Sequence, residues 1–186
     1  MIELLGIGVA SKHGGWLLRQ VCVELETPSL TVVLGSAPDE RRALLDVVGA
    51  RIIPDEGRAW LDHVPLMRDT RQRLRARAVA VEASASRGGL LRGALDGLRE
   101  RCAVDGRVRS LLVHELDTRL EGADFAETER TLRALVDVDR LSVFLSMPSA
   151  GALFAVADRL LAIAGGRLVF DGAPSRAPQA AVPLHE

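Results

Sequence analysis

With 186 residues, 48% of them apolar and 26% charged, the chain has the size and composition of one α/β domain and is too apolar for wholesale disorder. A net charge of −1 gives no bulk pull toward nucleic acid or anionic lipid. An aromatic content of 3%, without tyrosine, leaves few platforms for stacking bases, so nucleic acid is not expected as a partner.

Ile2 to Val9 and Val21 to Glu26 alternate apolar and polar residues as half-buried strands do, and Lys12-His13-Gly14-Gly15 reads as the turn of a hairpin. Leu30 to Gly35 is a continuous apolar strand ending in glycine, and Asp39 to Val48 has helical spacing through Leu44, Leu45 and Val48. Pro54-Asp55-Glu56-Gly57 signals a turn before a short strand from Arg58 to Asp62. An arginine run, Arg68, Arg71, Arg73, Arg75 and Arg77, leads into a short strand from Ala78 to Val81. Leu90 to Arg101 reads as a helix with Leu91, Leu95 and Leu98 on one face, Ser110 to Val113 as a buried strand, and Ala126 to Val136 as an amphipathic helix. Leu141 to Leu145, a helix from about Ala150 to Val156, and Arg159 to Ala164 continue the alternation. Gly165-Gly166 then turns the chain into a closing strand, Arg167 to Phe170.

Antiparallel strands first and alternating β and α units later predict a small sheet layer against a mostly parallel core. Residues 1–172 are expected to form one domain, and 173–186, of linker composition, a flexible tail. No stretch approaches the roughly 20 apolar residues that span a bilayer. The best candidate, Ala152 to Ala164, is interrupted by Asp158-Arg159, and Met1-Ile2-Glu3 lacks the positive region of a signal peptide. A cytoplasmic location is expected, peripheral at the inner face of a membrane only through a partner.

The arginine run reads as a solvated face, the alternative being a docking site for an acidic partner. Cys22 and Cys102 show no CxxC or zinc spacing and read as reduced, small core hydrophobes. The histidines, at positions 13, 63, 114 and 185, are too dispersed to argue for a metal site. His114, Glu115 and Asp117 follow a core strand, at the edge where α/β proteins place chemistry. An acid–base pair with Glu115 as base and His114 as its partner is one reading; ordinary loop residues are the other.

Three stretches carry a family resemblance: Leu17-Leu18-Arg19-Gln20-Val21 in the first hairpin, Ile53 to Asp62, and Ala157-Asp158-Arg159-Leu160 through Gly165-Gly166-Arg167-Leu168-Val169-Phe170-Asp171-Gly172. In order and spacing they resemble the ATP-binding subunits of ABC transporters, over nearly the whole chain. The resemblance implies a P-loop NTPase-like ABC nucleotide-binding domain with an N-terminal antiparallel β layer. His13 falls where an aromatic residue stacks on adenine in that family.

Each ATP-handling position departs from the family pattern. In its GxxGxGK[ST] loop, glycines let main-chain amides face the phosphates, lysine neutralises charge, and the hydroxyl holds magnesium. Ungapped from Gly35, the later glycines fall on Pro38 and Glu40, the lysine on Arg41 and the hydroxyl on Arg42. Pro38 lacks an N–H and fixes φ. Asp39 and Glu40 bring negative charge toward phosphate, and one like-charge pair at about 4 Å costs on the order of 4 kcal/mol. Those two acids also oppose the positive end of the helix, by roughly 0.3 to 1 kcal/mol each, and are expected to cap it in place of a phosphate.

The Walker B pair Asp-Glu becomes His114-Glu115, the switch histidine aligns with Pro148, and the glutamine that links ATP to the transporter aligns near Ala83, beside Glu82. About 28 residues separate that position from Walker B, too few for the family's whole helical subdomain. Ser86-Arg87-Gly88-Gly89 is a weak echo of the LSGGQ signature.

So altered, the resemblance implies degenerate nucleotide-binding positions at Gly35, Arg41, Arg42 and His13, vestigial catalytic positions at His114 and Glu115, and a switch position at Pro148. The expected function is a non-hydrolysing assembly or regulatory subunit of a membrane transporter complex, with no cofactor. Its expected partners are a membrane permease, an intact ABC ATPase subunit, or both, in a homo- or heterodimer. One alternative is a weak ABC ATPase that binds ATP and magnesium through Arg41 and energises a permease. Another is a small-molecule hydrolase using His114 and Glu115.

Overall fold

The computed structural model of the chain describes residues 1–82, 107–115, 122–148 and 156–177. Strands β1 (Ile2–Ala10), β2 (Trp16–Leu25), β4 (Glu56–Leu61) and β5 (Val64–Pro65) form an antiparallel sheet in the order β2-β1-β4-β5. A six-stranded sheet contains β3 (Leu30–Leu34), β6 (Ala78–Glu82), β7 (Ser110–His114), β8 (Ser142–Met147), β9 (Arg159–Ala164) and β10 (Arg167–Gly172). Its order is β10-β9-β3-β8-β7-β6, parallel throughout except for β10. The antiparallel layer and mostly parallel core expected from the element order are both present. Helices α1 (Pro38–Val48), α2 (Arg68–Arg75) and α3 (Gly122–Asp137) complete the described α/β structure. Among the described residues, no helix is long and apolar enough to cross a membrane.

The central strands read as unbroken apolar runs because both faces of their sheet are covered. Val33, Leu112, Phe144, Leu161 and Ile163 pack with Leu44, Leu45 and Val48 of α1 and with Leu4, Val21 and Val23 of the antiparallel layer. Their neighbours Val32, Leu34, Leu111, Val113, Leu145 and Leu160 point the other way, onto Leu132, Leu135 and Val136 of α3. Strand alternation thus divides one sheet between two cores, with α1 in the first.

Several expectations change. The second strand begins at Trp16, well before Val21, and register shifts along β1 together with the positive φ of Gln20 break the two-residue alternation there. Cys22 is exposed, not a core residue, because Val21, Val23 and Leu25 take the inward positions of β2. The segment bearing the arginine run is helix α2, which buries only Leu74 and so offers no apolar periodicity. Hydrogen bonds hold it instead. Thr70 Oγ1 accepts the Met67 N–H at 2.9 Å and donates to the Pro65 carbonyl at 2.5 Å, while Arg71 donates to the carbonyls of Ala50 and Arg51 beyond α1.

Pro174–Arg176, within the segment read as a tail, forms a 3-10 turn, and Ala177 packs on the second core. Ala83, Ser86 to Gly89, Leu90 to Arg101, Cys102, Asp117, the expected helix at Ala150 to Val156 except its last residue, and residues 178–186 lie outside the described residues.

Asp158 ties three elements together at the start of β9. Its Oδ2 accepts the Leu30 N–H at 2.8 Å, its own N–H donates to the Leu30 carbonyl at 2.9 Å, and both carboxylate oxygens accept from Arg133 of α3, at 3.1 and 2.8 Å. Burial pushes the Asp158 carboxyl up, but hydrogen bonds from Arg133 and Leu30, with the Arg133 charge, outweigh it and hold the group below its ordinary value of 3.8. A carboxylate so held adds stability above its unfolded pKa, and that stability is lost as pH falls through the lower folded value. Asp158→Asn should therefore unfold more easily at neutral pH, by about 0.5–1 kcal/mol given the solvent screening of this pair. The gap from the parent should close as pH falls below 3.8, measured by urea unfolding across pH.

Candidate functional site

Parallel register brings the C-terminal ends of four strands to one edge of the large sheet. Leu34 lies beside Met147, Val113 beside Leu145, and Glu82 beside His114. Gly35, Pro148 and Glu115 each follow directly from a strand at this edge, where an open α/β sheet places its ligands.

The connection from β3 to α1 is short. β3 ends at Leu34 and α1 begins at Pro38, leaving Gly35, Ser36 and Ala37 between them. Proline suits the first helical position because its fixed φ is already helical and the N–H it lacks would have no helical partner. Of the amides that a helix start leaves open, Pro38 supplies none, and the first regular helical bond runs from the Arg41 N–H to the Ala37 carbonyl at 3.4 Å. Asp39 and Glu40 occupy the first turn, but no side chain forms a hydrogen-bonded cap, so the expected capping by these acids reduces to a charge–dipole contact. The close approach of β9 explains Gly35: a Cβ there would lie 2.6 Å from the Ile163 carbonyl oxygen. Packing of adjacent strands is sufficient reason for the glycine.

Arg41 is the centre of the site. With Leu44, Leu45 and Val48 it lies on the stripe of α1 that faces inward, and it is only 1% exposed. Its guanidinium turns back toward the sheet edge and donates to the Gly35 carbonyl. Nη2 also donates to both Glu115 oxygens, at 2.7 and 2.6 Å. Glu115 is held from the far side by Ser146 of β8, whose Oγ accepts the Glu115 N–H at 3.1 Å and lies 3.3 Å from Oε1. Glu115 adopts φ 53°, a left-handed conformation that costs a non-glycine residue on the order of 1 kcal/mol or more. The guanidinium and the Ser146 hydroxyl hold it there.

The loop carbonyl, a buried cation and the carboxylate at the catalytic-base position thus bind one another, while Arg41 Nε is buried without a hydrogen-bond partner among the described residues. His114, at the metal-side position of Walker B, is 1% exposed and closed off from solute. Arg42 is exposed on α1, His13 sits on the exposed turn between β1 and β2 with its N–H on Ser11 Oγ, and Pro148 is exposed at the end of β8. The structure brings Gly35, Arg41 and Glu115 into direct contact, and places Arg42 and His13 at exposed positions.

These residues do not fit Mg-ATP. The short loop offers no curled run of amides, the cation at the lysine position is committed to Glu115, and an arginine and a buried histidine stand where magnesium's hydroxyl and carboxylate would be. Sequence reading missed the role of Ser146. Its signal was a hydroxyl in an otherwise apolar, fully buried stretch of β8, which needs a hydrogen-bond partner.

No protein-family model matches the sequence, and no curated protein does. Solved structures do. CbiO1 from Clostridium perfringens, part of the ABC transporter complex cbiONQ, matches with a TM-score of 0.74 at 13% identity, over 94% of this chain and 88% of that one. A dimeric bacterial ABC transporter cassette matches with a TM-score of 0.71 at 13% identity, over 94% and 99%. A bacterial Atm1-family ABC exporter with ATP bound matches with a TM-score of 0.68 at 16% identity, over 94% of this chain and 38% of that one. At these identities the likeness is one of fold: the chain has the fold of an ABC transporter ATP-binding cassette.

The pair at the sheet edge makes an asymmetric prediction. Glu115→Ala leaves a 1%-exposed guanidinium without its counter-charge, which costs about 3–5 kcal/mol. Arg41→Met leaves a carboxylate that is 29% exposed and can hydrate, so its cost should be less than half as large, about 2 kcal/mol at most. Urea unfolding of the two variants checks this; equal losses would rule out the pairing described.

Proposed function

We propose, with the ABC cassette fold as premise, that this chain is a non-hydrolysing assembly or regulatory subunit of a membrane transporter complex. The observation that carries the reading is the contact of Arg41 with Glu115 and the Gly35 carbonyl. The cation that would meet a triphosphate and the carboxylate that would orient water are spent on each other, so the fold is complete without nucleotide. Entry of ATP would have to free Arg41 and leave Glu115 facing the phosphates, a like-charge contact of on the order of 4 kcal/mol per pair at about 4 Å. Neither magnesium nor ATP is assigned a role in this chain.

What remains to the protein is its surface. One structural neighbour is part of an ABC transporter complex and another is a dimeric cassette, which supports a permease and a second cassette, identical or intact, as partners. The reading places the chain in the cytoplasm, reaching the membrane through that permease.

Thermal unfolding with and without Mg-ATP tests the nucleotide half. Ligand at 100 times its Kd would add about 2.7 kcal/mol of stability, so at millimolar Mg-ATP any useful affinity raises Tm; no shift is expected, and a saturable one would favour the weak-ATPase alternative. Affinity purification of the tagged chain from its native membranes tests the other half. A permease or an intact ATPase subunit should accompany it, and recovery of the chain alone from the soluble fraction would contradict the assembly role.

A further inference from the structure

The arginines of α2 take no part in the site at the C-terminal edge. Asp69 and Arg73, one turn apart on the same face of α2, border a groove of about 700 Å³ whose other side is formed by Arg77, Arg107 and Arg109. Arg77 and Arg109 immediately precede β6 and β7, so the groove lies at the N-terminal edge of the large sheet. Five residues of strand, roughly 15 Å at about 3.3 Å per residue, separate it from the ends of β6 and β7 where Glu115 sits.

Its base is rigid. The Arg77 carbonyl accepts the N–H groups of Arg109 and Ser110 at 2.7 and 3.1 Å, and the Arg109 carbonyl accepts the Ser142 N–H at 2.9 Å. Among the described residues, four arginines face one aspartate across this groove in a chain whose net charge is −1. Arg77 lies 3.6 Å from Asp62, whereas Arg73 and Arg109 are exposed and have no ion pair among the described residues.

A planar guanidinium fork matches a carboxylate or phosphate edge. Among the described residues, no aromatic side chain lines the groove, so bases would find nothing there to stack on. The groove is open to solvent, where one small anion is screened and gains little. A run of carboxylates on a single segment engages several forks at once, each contact raising the effective concentration of the next. We propose that this groove docks an acidic segment of a partner protein, a run of Asp and Glu side chains lying between α2 and the starts of β6 and β7. The inference is independent of the nucleotide reading, since it uses neither Arg41 nor Glu115.

A fluorescein-labelled oligoglutamate peptide tests it by fluorescence anisotropy at low salt. Saturable binding is expected, weakened about tenfold or more by Arg73→Glu with Arg109→Glu, and by a smaller factor in the neutral Arg73→Gln with Arg109→Gln variant. Arg130→Glu with Arg140→Glu, an equal charge change at exposed positions on and just after α3, should leave binding nearly unchanged. Thermal melts should show that each pair is folded. Absence of saturable binding, equal weakening by the Arg130 and Arg140 pair, or displacement of the peptide by tripolyphosphate or polyuridylate at equal or lower concentration would overturn the proposal.

Discussion

A guanidinium at 1% exposure is costly to bury without an anion beside it, and the rest of the site follows from that requirement. Arg41 occupies an inward position of α1, so it must find its counter-charge at the sheet edge, and Glu115 supplies it with both oxygens. Glu115 takes that position in a left-handed conformation, and Ser146 braces it from the next strand. Arg41, Glu115 and Ser146 therefore act as one unit. Changing the occupant of this site means breaking the unit, and the proposed function rests on that charge-based obstacle to a triphosphate.

Contacts within the chain hold the surrounding fold. α1 is fixed by apolar contact with both sheets, the two cores share the alternating faces of the large sheet, and Asp158 locks the start of β9 to β3 and α3. Gly35 has a packing reason of its own, the approach of the β9 backbone. The proposed function has this architecture kept whole while internal bonds take the place of its chemistry. The two edges of the large sheet then have different electrostatic characters: neutralised at the strand ends by Arg41 and Glu115, and basic at the strand starts, where Arg73, Arg77, Arg107 and Arg109 gather.

How much of this was legible in the sequence varied with the physical cause. β3, β7, β8 and β9 were readable as unbroken apolar runs because both faces of their sheet are covered, and α1 was readable from Leu44, Leu45 and Val48. Shifts in β1 register hid the first half of β2, and the same alternation, correctly counted, would have put Cys22 outside. α2 was invisible to periodicity because backbone and hydroxyl hydrogen bonds hold it, with only Leu74 buried. The positions of the site were readable from the family pattern, but the bond between residues 41 and 115 was not, since nothing local links residues 74 apart. One local sign did exist: Arg41 precedes Leu44 and Leu45 by three and four residues, which puts a charge on the buried stripe of its own helix.

The most direct measurement is a crystal structure grown with Mg-ATP in large excess. Arg41 is expected to remain against the Gly35 carbonyl and both oxygens of Glu115, with no nucleotide at the start of α1. A triphosphate seated on the main-chain amides between Gly35 and Arg42, with Arg41 turned onto it and Glu115 released, would contradict the claim that this site is closed by its own residues.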